Sequence, residues 1–382
     1  MTEKLFCEVD NLYEKYLSIW ETFCNIESPT ECKQGVDKAA DYLTDIAVSL
    51  GLQVEAFEHK NSGKVLCITL NPEVNEAPLS ISGHIDTVHP IGSFGNPPVH
   101  RDTEKIYGPG VLDCKGGVVA GLLALEALKN SGYKKRPVQL LVQSDEENGS
   151  KMSEKATIKY ICEKAKNSVA FLNLEGHTQG KACLVRKGIV TFKFSVFGKA
   201  AHAATCAVEG ANAIADAAYK IIELEKIKDD KGVTCNCGIV SGGTAVNTVP
   251  DKCEFLVNIR YVNSEQLDWI TEKVYEIAAT EHIKGCTCEV KRESFRTAME
   301  YTERNAKLLD RMNEIFLSVG LPVLEASARN GGSDAADVTA FGIPCVDNIG
   351  VTGGNIHSLS EFAFLNSLSQ AAKRVVAVAE SI

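Results

Sequence analysis

Ser80–Pro90 reads SISGHIDTVHP, an apolar strand that runs out into polar chemistry. Leu79 and Ile81 form the apolar run, and Gly83 ends it. His84 and Asp86 then alternate about Ile85, and strand alternation sends both side chains to one side of the backbone. An imidazole and a carboxylate so spaced suit a metal ligand and the group that orients it. The same three residues also suit a hydrogen-bonded histidine in a loop after a strand. The recurrence of acids and histidines at later strand ends favours the first reading.

Downstream, GPGVLDCKGGVVAGLL places Asp113 at the entrance of a helix expected from about Gly116. Aspartate there is also a favoured N-cap. Pro137–Gln143 is a continuous apolar strand of the buried type and ends in SDEENGS, with Glu146 and Glu147 adjacent. Adjacent carboxylates on an extended backbone point opposite ways, so one can ligate while its neighbour faces substrate; a solvated turn is the other reading. Lys155–Lys166 reads as a helix and Ser168–Leu174 as a buried strand ending in Glu175-Gly176-His177. Alternating strands and helices predict an α/β fold, a mostly parallel sheet with helices on both faces. Such sheets bind ligands at the carboxyl ends of their strands. His84, Glu146, Glu147 and Glu175 all fall there, and the loop of Asp113 can reach the same edge. Imidazole with carboxylates is a donor set that suits zinc.

Outward from this centre, residues 9–26 and Glu31–Leu50 read as helices broken by Ser28-Pro29-Thr30. Leu52–Phe57 and Val65–Leu70 read as strands joined at Asn61-Ser62-Gly63, and residues 89–110 as one long loop of the kind that is often functional. At Lys187 the pattern changes from buried runs to alternation. Strands Gly188–Phe197, Gly232–Ser241, Lys252–Tyr261 and Cys286–Lys291, with helices Glu209–Glu225 and Ser264–Thr280, follow the ferredoxin-like order. This predicts an inserted α+β domain over 188–298 between two parts of a catalytic domain, 1–187 and 299–382. In the last part Thr302–Val319 is helical, and Gly331-Gly332-Ser333-Asp334 opens a short helix with an anion-binding geometry. Pro344–Ile349 reads as a strand, Gly353–Ser358 as a glycine-rich loop presenting His357, and Asn366–Glu380 as the final helix.

The 382 residues carry a net charge of −10, which disfavours nucleic acid and anionic membrane as partners. No apolar run is long enough to span a bilayer, and MTEKLFCEVD lacks the apolar stretch of a secretory signal. The fourteen cysteines are scattered. Cys7, Cys24, Cys67, Cys162, Cys253 and Cys345 lie in apolar segments, as free thiols do in a reducing compartment. Cys235/Cys237 and Cys286/Cys288 read as strand residues rather than zinc ligands. A cytoplasmic location is expected.

SGHIDTV, YGPGVLDCKGG, SDEENGS, NLEGH, GKAAHA, VNTVP with NIRY, and GGSDAAD followed by GGNIHS stand in one order along nearly the whole chain. In that order they resemble the di-zinc M20 metallopeptidase family, which includes glutamate carboxypeptidase, aminoacylase, acetylornithine deacetylase, succinyl-diaminopimelate desuccinylase and peptidase T. The resemblance implies a zinc-peptidase catalytic domain with an inserted lid and dimerisation domain, and two Zn2+ per subunit, replaceable by Co2+ or Mn2+. It implies that His84, Asp113 and Glu175 bind one ion, and that Asp113 bridges to a second held by Glu147 and His357. Asp86 would orient His84, and Glu146 would be the general base. His202 would stabilise the oxyanion from across a homodimer interface, and Asn247, also in the inserted domain, would bind substrate. Arg260 would grip a substrate carboxylate, assisted by Gly332 and Ser333. The implied activity is release of a C-terminal amino acid from a small N-acyl amino acid or short peptide. The RKG stretch Arg186–Gly188 is similar to the glutamate carboxypeptidase branch, and the GGSDAAD…NIHS ending to peptidase T, so a di- or tripeptide aminopeptidase is the alternative.

Departures from the family pattern are Cys114, where methionine is common, and Ala204, Ala207 and Val208 after His202. His89 and His177 read as polar neighbours, His100 has no assigned role, Cys206 has no adjacent base, and Ser333 suits a cap or a substrate contact. An inactive metal-binding scaffold would require a lost ligand or base, and none is lost. A dinucleotide site would require G-x-G-x-x-G in the first βα unit, and none is present.

Overall fold

The computed structural model describes residues 2–382. The chain forms two compact units. One comprises the chain up to Val185 together with Tyr301–Arg329 and Ser333–Ile382; the other comprises Arg186–Glu300 and Asn330–Gly332.

The first unit is built on a six-stranded sheet in the order Gln53–Phe57, Val65–Leu70, Val138–Gln143, Leu79–His84, Ala170–Asn173, Cys345–Val346. The last four pair in parallel. The first two pair antiparallel with each other, and Val65–Leu70 pairs antiparallel with Val138–Gln143. The sheet is therefore mostly parallel, as expected, with Val65–Leu70 alone running against the other five strands. A connection as short as residues 58–64 permits only an antiparallel hairpin. Val65–Leu70 and Leu79–His84 are buried at every position, so both faces of the sheet are covered. Register sets the site: His84 lies opposite Gln143, and Ser82 opposite Asn173. The chain therefore leaves all three central strands at one edge, at Ile85, Ser144 and Leu174.

Helix Lys115–Asn130 is buried from Lys115 to Leu128, as its nearly all-round apolar sequence demands. It packs on the sheet and against helices Thr2–Cys24 and Ser367–Ser381. Each fully buried Leu or Val there contributes about 1.5–3 kcal/mol. Its one acid, Glu126, accepts from Tyr16 Oη at 2.7 Å and from Lys15 Nζ at 2.6 Å.

The second unit has a four-stranded antiparallel sheet in the order Thr234–Gly242, Lys252–Tyr261, Gly188–Phe197, Thr287–Arg296. Gly188–Phe197 alternates buried and half-buried residues without a break. Its inward residues Val190, Phe192, Phe194 and Val196 share a core with helices Ala213–Glu225 and Ser264–Ala279. Within that core Asp216 and Lys220 form an ion pair at 3.2 Å, each side chain 1% exposed.

Several element boundaries differ from expectation. The first helix spans Thr2–Cys24, because Leu5 and Val9 already belong to its buried stripe. The helix expected from Glu209 begins at Ala213, where extended Asn212 accepts from Ala215 N at 3.0 Å. The strand expected over Pro344–Ile349 is only Cys345–Val346, and Asn348 has φ +58°, outside the strand region. The last strand of the second unit runs on to Arg296 through a bulge between Arg292 and Ser294. Loop 89–110 contains two short strands, His100–Arg101 and Lys105–Tyr107. With Phe362–Phe364 and Gly353–Gly354 they form a small antiparallel sheet. Strands Lys181–Arg186 and Glu325–Arg329 pair with each other and were not anticipated. All fourteen cysteines are free; Cys7 is exposed rather than packed in an apolar segment, and Cys286 precedes its strand. No helix of the described residues is long and apolar enough to cross a membrane.

Candidate metal centre

Strand Leu79–His84 delivers His84 to the sheet edge, 1% exposed. Gly83 is required beside it: a Cβ there would meet Val118 Cγ2 at 2.9 Å and Cys114 Sγ at 3.2 Å. His84 Nδ1 lies 3.0 Å from the backbone oxygen of Asp86 and 3.4 Å from its Oδ1. That contact fixes the ring and leaves Nε2 facing the acids. Asp86 is fully buried. Its Oδ1 accepts from Glu146 N at 3.1 Å; its Oδ2 accepts from Glu147 N at 3.1 Å and from Thr30 Oγ1 at 2.8 Å. One carboxylate thus sets the histidine ring and the backbone of both glutamates.

The turn before helix Lys115–Asn130 supplies Asp113. The N-cap is Cys114, with no side-chain cap bond, so the capping role open to Asp113 in the sequence is not the one it plays. Its Oδ1 lies 3.1 Å from His84 Nε2 and its Oδ2 lies 3.1 Å from His357 Nε2. Each oxygen of one carboxylate meets a different imidazole. Glu175 Oε1 stands 3.6 Å from His84 Nε2, on the His84 side. Glu147 Oε2 stands 3.3 Å from His357 Nε2, on the other. Donor atoms of His84, Asp113 and Glu147 lie within 4.8 Å of one another, as do those of His84, Cys114 and Glu175. Cys114 Sγ donates to Leu174 O at 3.3 Å, next to Glu175. Gly117 is forced where the helix crosses that strand end, since a Cβ would sit 2.0 Å from Leu174 O. Glu146 is 6% exposed at the same edge.

The electrostatics show what this donor set accommodates. Burial opposes ionisation of Asp113, but hydrogen bonds from His357 and His84 outweigh it and hold its pKa below the usual range. Burial, then the negative charge of Asp113, pushes Glu147 up to about 8. Burial also raises Glu175, with Asp113 and Glu146 adding to it against the pull of His84. Hydrogen bonds to Asp113 and Glu147 raise His357 to about 10. His84 is raised too: burial works against its charged form, and Glu175, Asp113 and Asp86 overcome it. Clustered carboxylates raise each other's pKa because like charges crowd a desolvated space. A divalent cation relieves that crowding, and imidazole with carboxylate oxygen is zinc's donor set. The residues therefore fit a divalent metal ion.

In the second unit, Ala203 N donates to Asn247 O at 2.9 Å, which brings the His202 and Asn247 loops together. His202 is exposed, and its Nδ1 accepts from Ala204 N at 3.1 Å, so the neutral ring carries its proton on Nε2. Arg260 Nη1 donates to Asn330 O, and Arg186 Nη1 donates to the carbonyls of Gly331 and Gly332 at 3.1 and 3.0 Å. The glycine tripeptide thus presents carbonyls to arginines. In the first unit, Ser333 is 4% exposed, caps helix Asp334–Ala340 through Ala335 N and accepts from Asn173 Nδ2 at 3.0 Å. Of the two roles open to its hydroxyl in the sequence, the structure shows the cap.

Some residues of the centre gave no signal in the sequence. Thr30 appeared only as a helix breaker. Glu361 is 1% exposed and accepts the N–H groups of both Leu112 and Asp113. Only a fold could expose these contacts, which join distant stretches of chain. His89 faces Glu361 at 3.3 Å, and His100 stacks on Tyr107. His177 Nδ1 lies 2.7 Å from Asn348 O, and burial with nearby Arg374 lowers it to about 4.

Residues 80–381 match the family model described as peptidase family M20/M25/M40. The chain belongs to that family. An M20 relative, carboxypeptidase G2 of Pseudomonas sp. (strain RS-16), is 28% identical over 345 residues, covering 88% of this chain and 82% of that protein. Succinyl-diaminopimelate desuccinylase of Rickettsia massiliae is 25% identical, covering 87% and 92%. The aminopeptidase PepT of Bacillus cereus shares the fold with a TM-score of 0.80 at 21% identity, covering 97% of this chain and 98% of that one. M20 membership makes the chain a hydrolytic exopeptidase or amidohydrolase of a metal-dependent family.

Proposed function

We propose that this M20 protein is a di-zinc exopeptidase or N-acyl amino acid amidohydrolase that releases an amino acid with a free α-carboxylate. The observation that carries this is Asp113, whose two oxygens serve the two imidazoles. His84, Asp113 and Glu175 would hold one ion, and Asp113, Glu147 and His357 the other. When bound, the ions supply Lewis acidity for the scissile carbonyl and a lowered pKa for water. Glu146, at the same strand end, takes a proton from that water and returns it to the leaving amine nitrogen. Asp86 keeps His84 in register and anchors the backbone of Glu146. Arg260 binds the product carboxylate, the neutral Nε2–H of His202 donates to the oxyanion with Asn247 beside it, and Gly332 and Ser333 border the substrate through their backbone. The enzyme acts as a homodimer, with His202 of the partner subunit completing each site. Co2+ or Mn2+ can replace zinc.

One observation favours a second reading, a di- or tripeptide aminopeptidase. A recess of about 320 Å³ beside Glu147, walled by Thr30, Thr87, Val88 and Pro90, also carries Glu31, a carboxylate able to meet a substrate ammonium. Release of free amine from N-acyl amino acids and from free di- and tripeptides, with zinc and with Glu146→Ala as blank, separates the two. Turnover of N-blocked substrates with a free carboxylate supports the first reading. Turnover confined to substrates with a free N-terminus overturns it in favour of the second. In the same assay His202→Ala should lower kcat by roughly a hundredfold, the size of one oxyanion donor; unchanged kcat removes it from the site.

A further inference from the structure

Glu361 is a buried carboxylate with no lysine or arginine partner among the described ion pairs. Its Oε1 accepts the N–H of Leu112 at 2.9 Å and of Asp113 at 3.1 Å. Its Oε2 lies 3.3 Å from His89 Nε2. Its backbone oxygen accepts from Gly108 N at 3.3 Å, and the next residue, Phe362, pairs with Tyr107. Glu361 therefore grips the turn Gly108–Asp113 at both ends, with its main chain and with its side chain. Burying a carboxylate is costly unless strong hydrogen bonds satisfy it. Here they are spent on the backbone of the residue whose side chain faces both imidazoles. Glu361 also lies four residues beyond His357, and Glu361 N bonds to Ser358 O at 3.1 Å. His357 sits on an exposed loop with φ +63°, so neither a strand nor a helix fixes it. The span His357–Glu361 is thus the link between this histidine and the Asp113 turn.

We infer that Glu361 is a positioning residue, a clamp that sets the distance between Asp113 and His357 and so builds the half of the metal centre that those two share with Glu147. The inference rests on the two-ion reading of the site. His84 ends a strand and Glu175 follows one, and neither is hydrogen-bonded to Glu361, whereas Asp113 and His357 both depend on it. Loss of Glu361 should therefore weaken the ion that relies on both Asp113 and His357 more than the ion that shares only Asp113. Partners that orient a ligand typically change metal affinity by roughly 10–100-fold.

The test is calorimetric titration of Co2+ into EDTA-stripped protein, with the visible spectrum recorded at each addition. Wild type is expected to bind two ions, and His357→Ala marks the signal of losing the second. Glu361→Ala should lose roughly 10–100-fold at the second ion and distinctly less at the first, where His84 and Glu175 remain in place. Glu361→Gln keeps an oxygen for both N–H groups and should bind the second ion close to wild type. Should the alanine variant fail to fold, Glu361→Asp, one methylene too short for the turn, should show the same selective loss. Equal weakening of both ions, or two wild-type affinities in folded Glu361→Ala or Glu361→Asp, overturns the clamp while leaving the two-ion site standing. A wild type that binds no Co2+ overturns the two-ion reading, and the clamp with it.

Discussion

Two buried polar clusters, one in each unit, are put together in opposite ways. In the smaller unit Asp216 and Lys220 close on each other at 3.2 Å. The aspartate also accepts from His282 N and Ile283 N, and the lysine donates to the carbonyls of Ile277 and Thr280. One acid meets one base, and the remaining hydrogen-bonding capacity goes to backbone. In the larger unit Asp113, Glu146, Glu147 and Glu175 converge with two imidazoles, and burial, with the charges of neighbouring acids, raises Glu147 and Glu175. The first cluster is balanced and serves the fold. The second carries surplus negative charge whose relief is a cation. Buried charge is therefore not one kind of feature; what separates the structural case from the functional one is whether acid and base balance each other directly or the acids need protons or a cation to do so.

The contrast can be broken at its largest expected effect. Glu146→Gln removes one charge from the open cluster and leaves the acids around both imidazoles. Turnover should fall by about 10²–10⁴-fold, while metal content by elemental analysis and the melting temperature stay at wild-type levels. Loss of the fold in this variant would mean that the open cluster is structural after all. In the closed cluster the outcome reverses. Lys220→Met leaves Asp216 buried and unpaired and should cost about 3–5 kcal/mol in denaturant unfolding, with metal content unchanged; the double replacement Asp216→Asn with Lys220→Met should recover most of it.

A smaller effect sharpens the contrast through pH. Glu147, raised to about 8, and His357, raised to about 10, both hold protons at pH 7 in the ion-free protein. Ligation requires those protons to leave, so ion uptake releases protons and affinity climbs with pH, by about tenfold per unit for each proton displaced. Calorimetry in buffers of different ionisation heat measures the number released; none released would contradict the surplus-charge account. The smallest effect belongs to Thr30→Val, which takes one hydroxyl from Asp86. About 1–2 kcal/mol is expected for a hydrogen bond to a charged group, seen as a modest fall in melting temperature and not as a lost ion.

His84 and the acids of the open cluster were legible in the sequence because each stands at or just past a strand end or before a helix, whereas His357, in a glycine-rich loop, entered through the family resemblance. His84 and Asp86 lie two residues apart, and Glu146 and Glu147 are adjacent, so short-range geometry brings them into view. Thr30 and Glu361 were invisible for the opposite reason. Thr30 meets Asp86 across 56 positions and Glu361 meets Leu112 across 249, and no local period carries that. Asp113 fell between: its position was plain, but cap and bridge could not be told apart until His357 was placed beside it. The parallel core of the sheet was legible from its apolar runs. The antiparallel hairpin at its edge was legible from the turn residues 61–63. The closed cluster of Asp216 and Lys220 stands four apart on one helix, and periodicity does not say which face a second helix will cover.

The tripeptide Asn330–Gly332 belongs to the smaller unit although the chain on either side of it belongs to the larger. Connectivity therefore passes between the units four times rather than twice. The smaller unit is consequently not a cassette. A fragment cut at Arg186 and Glu300 would leave behind the carbonyls that Arg186 and Arg260 address. Any recombination that trades this unit between family members has to carry that distant tripeptide along, so the unit is inherited as two separated pieces of gene.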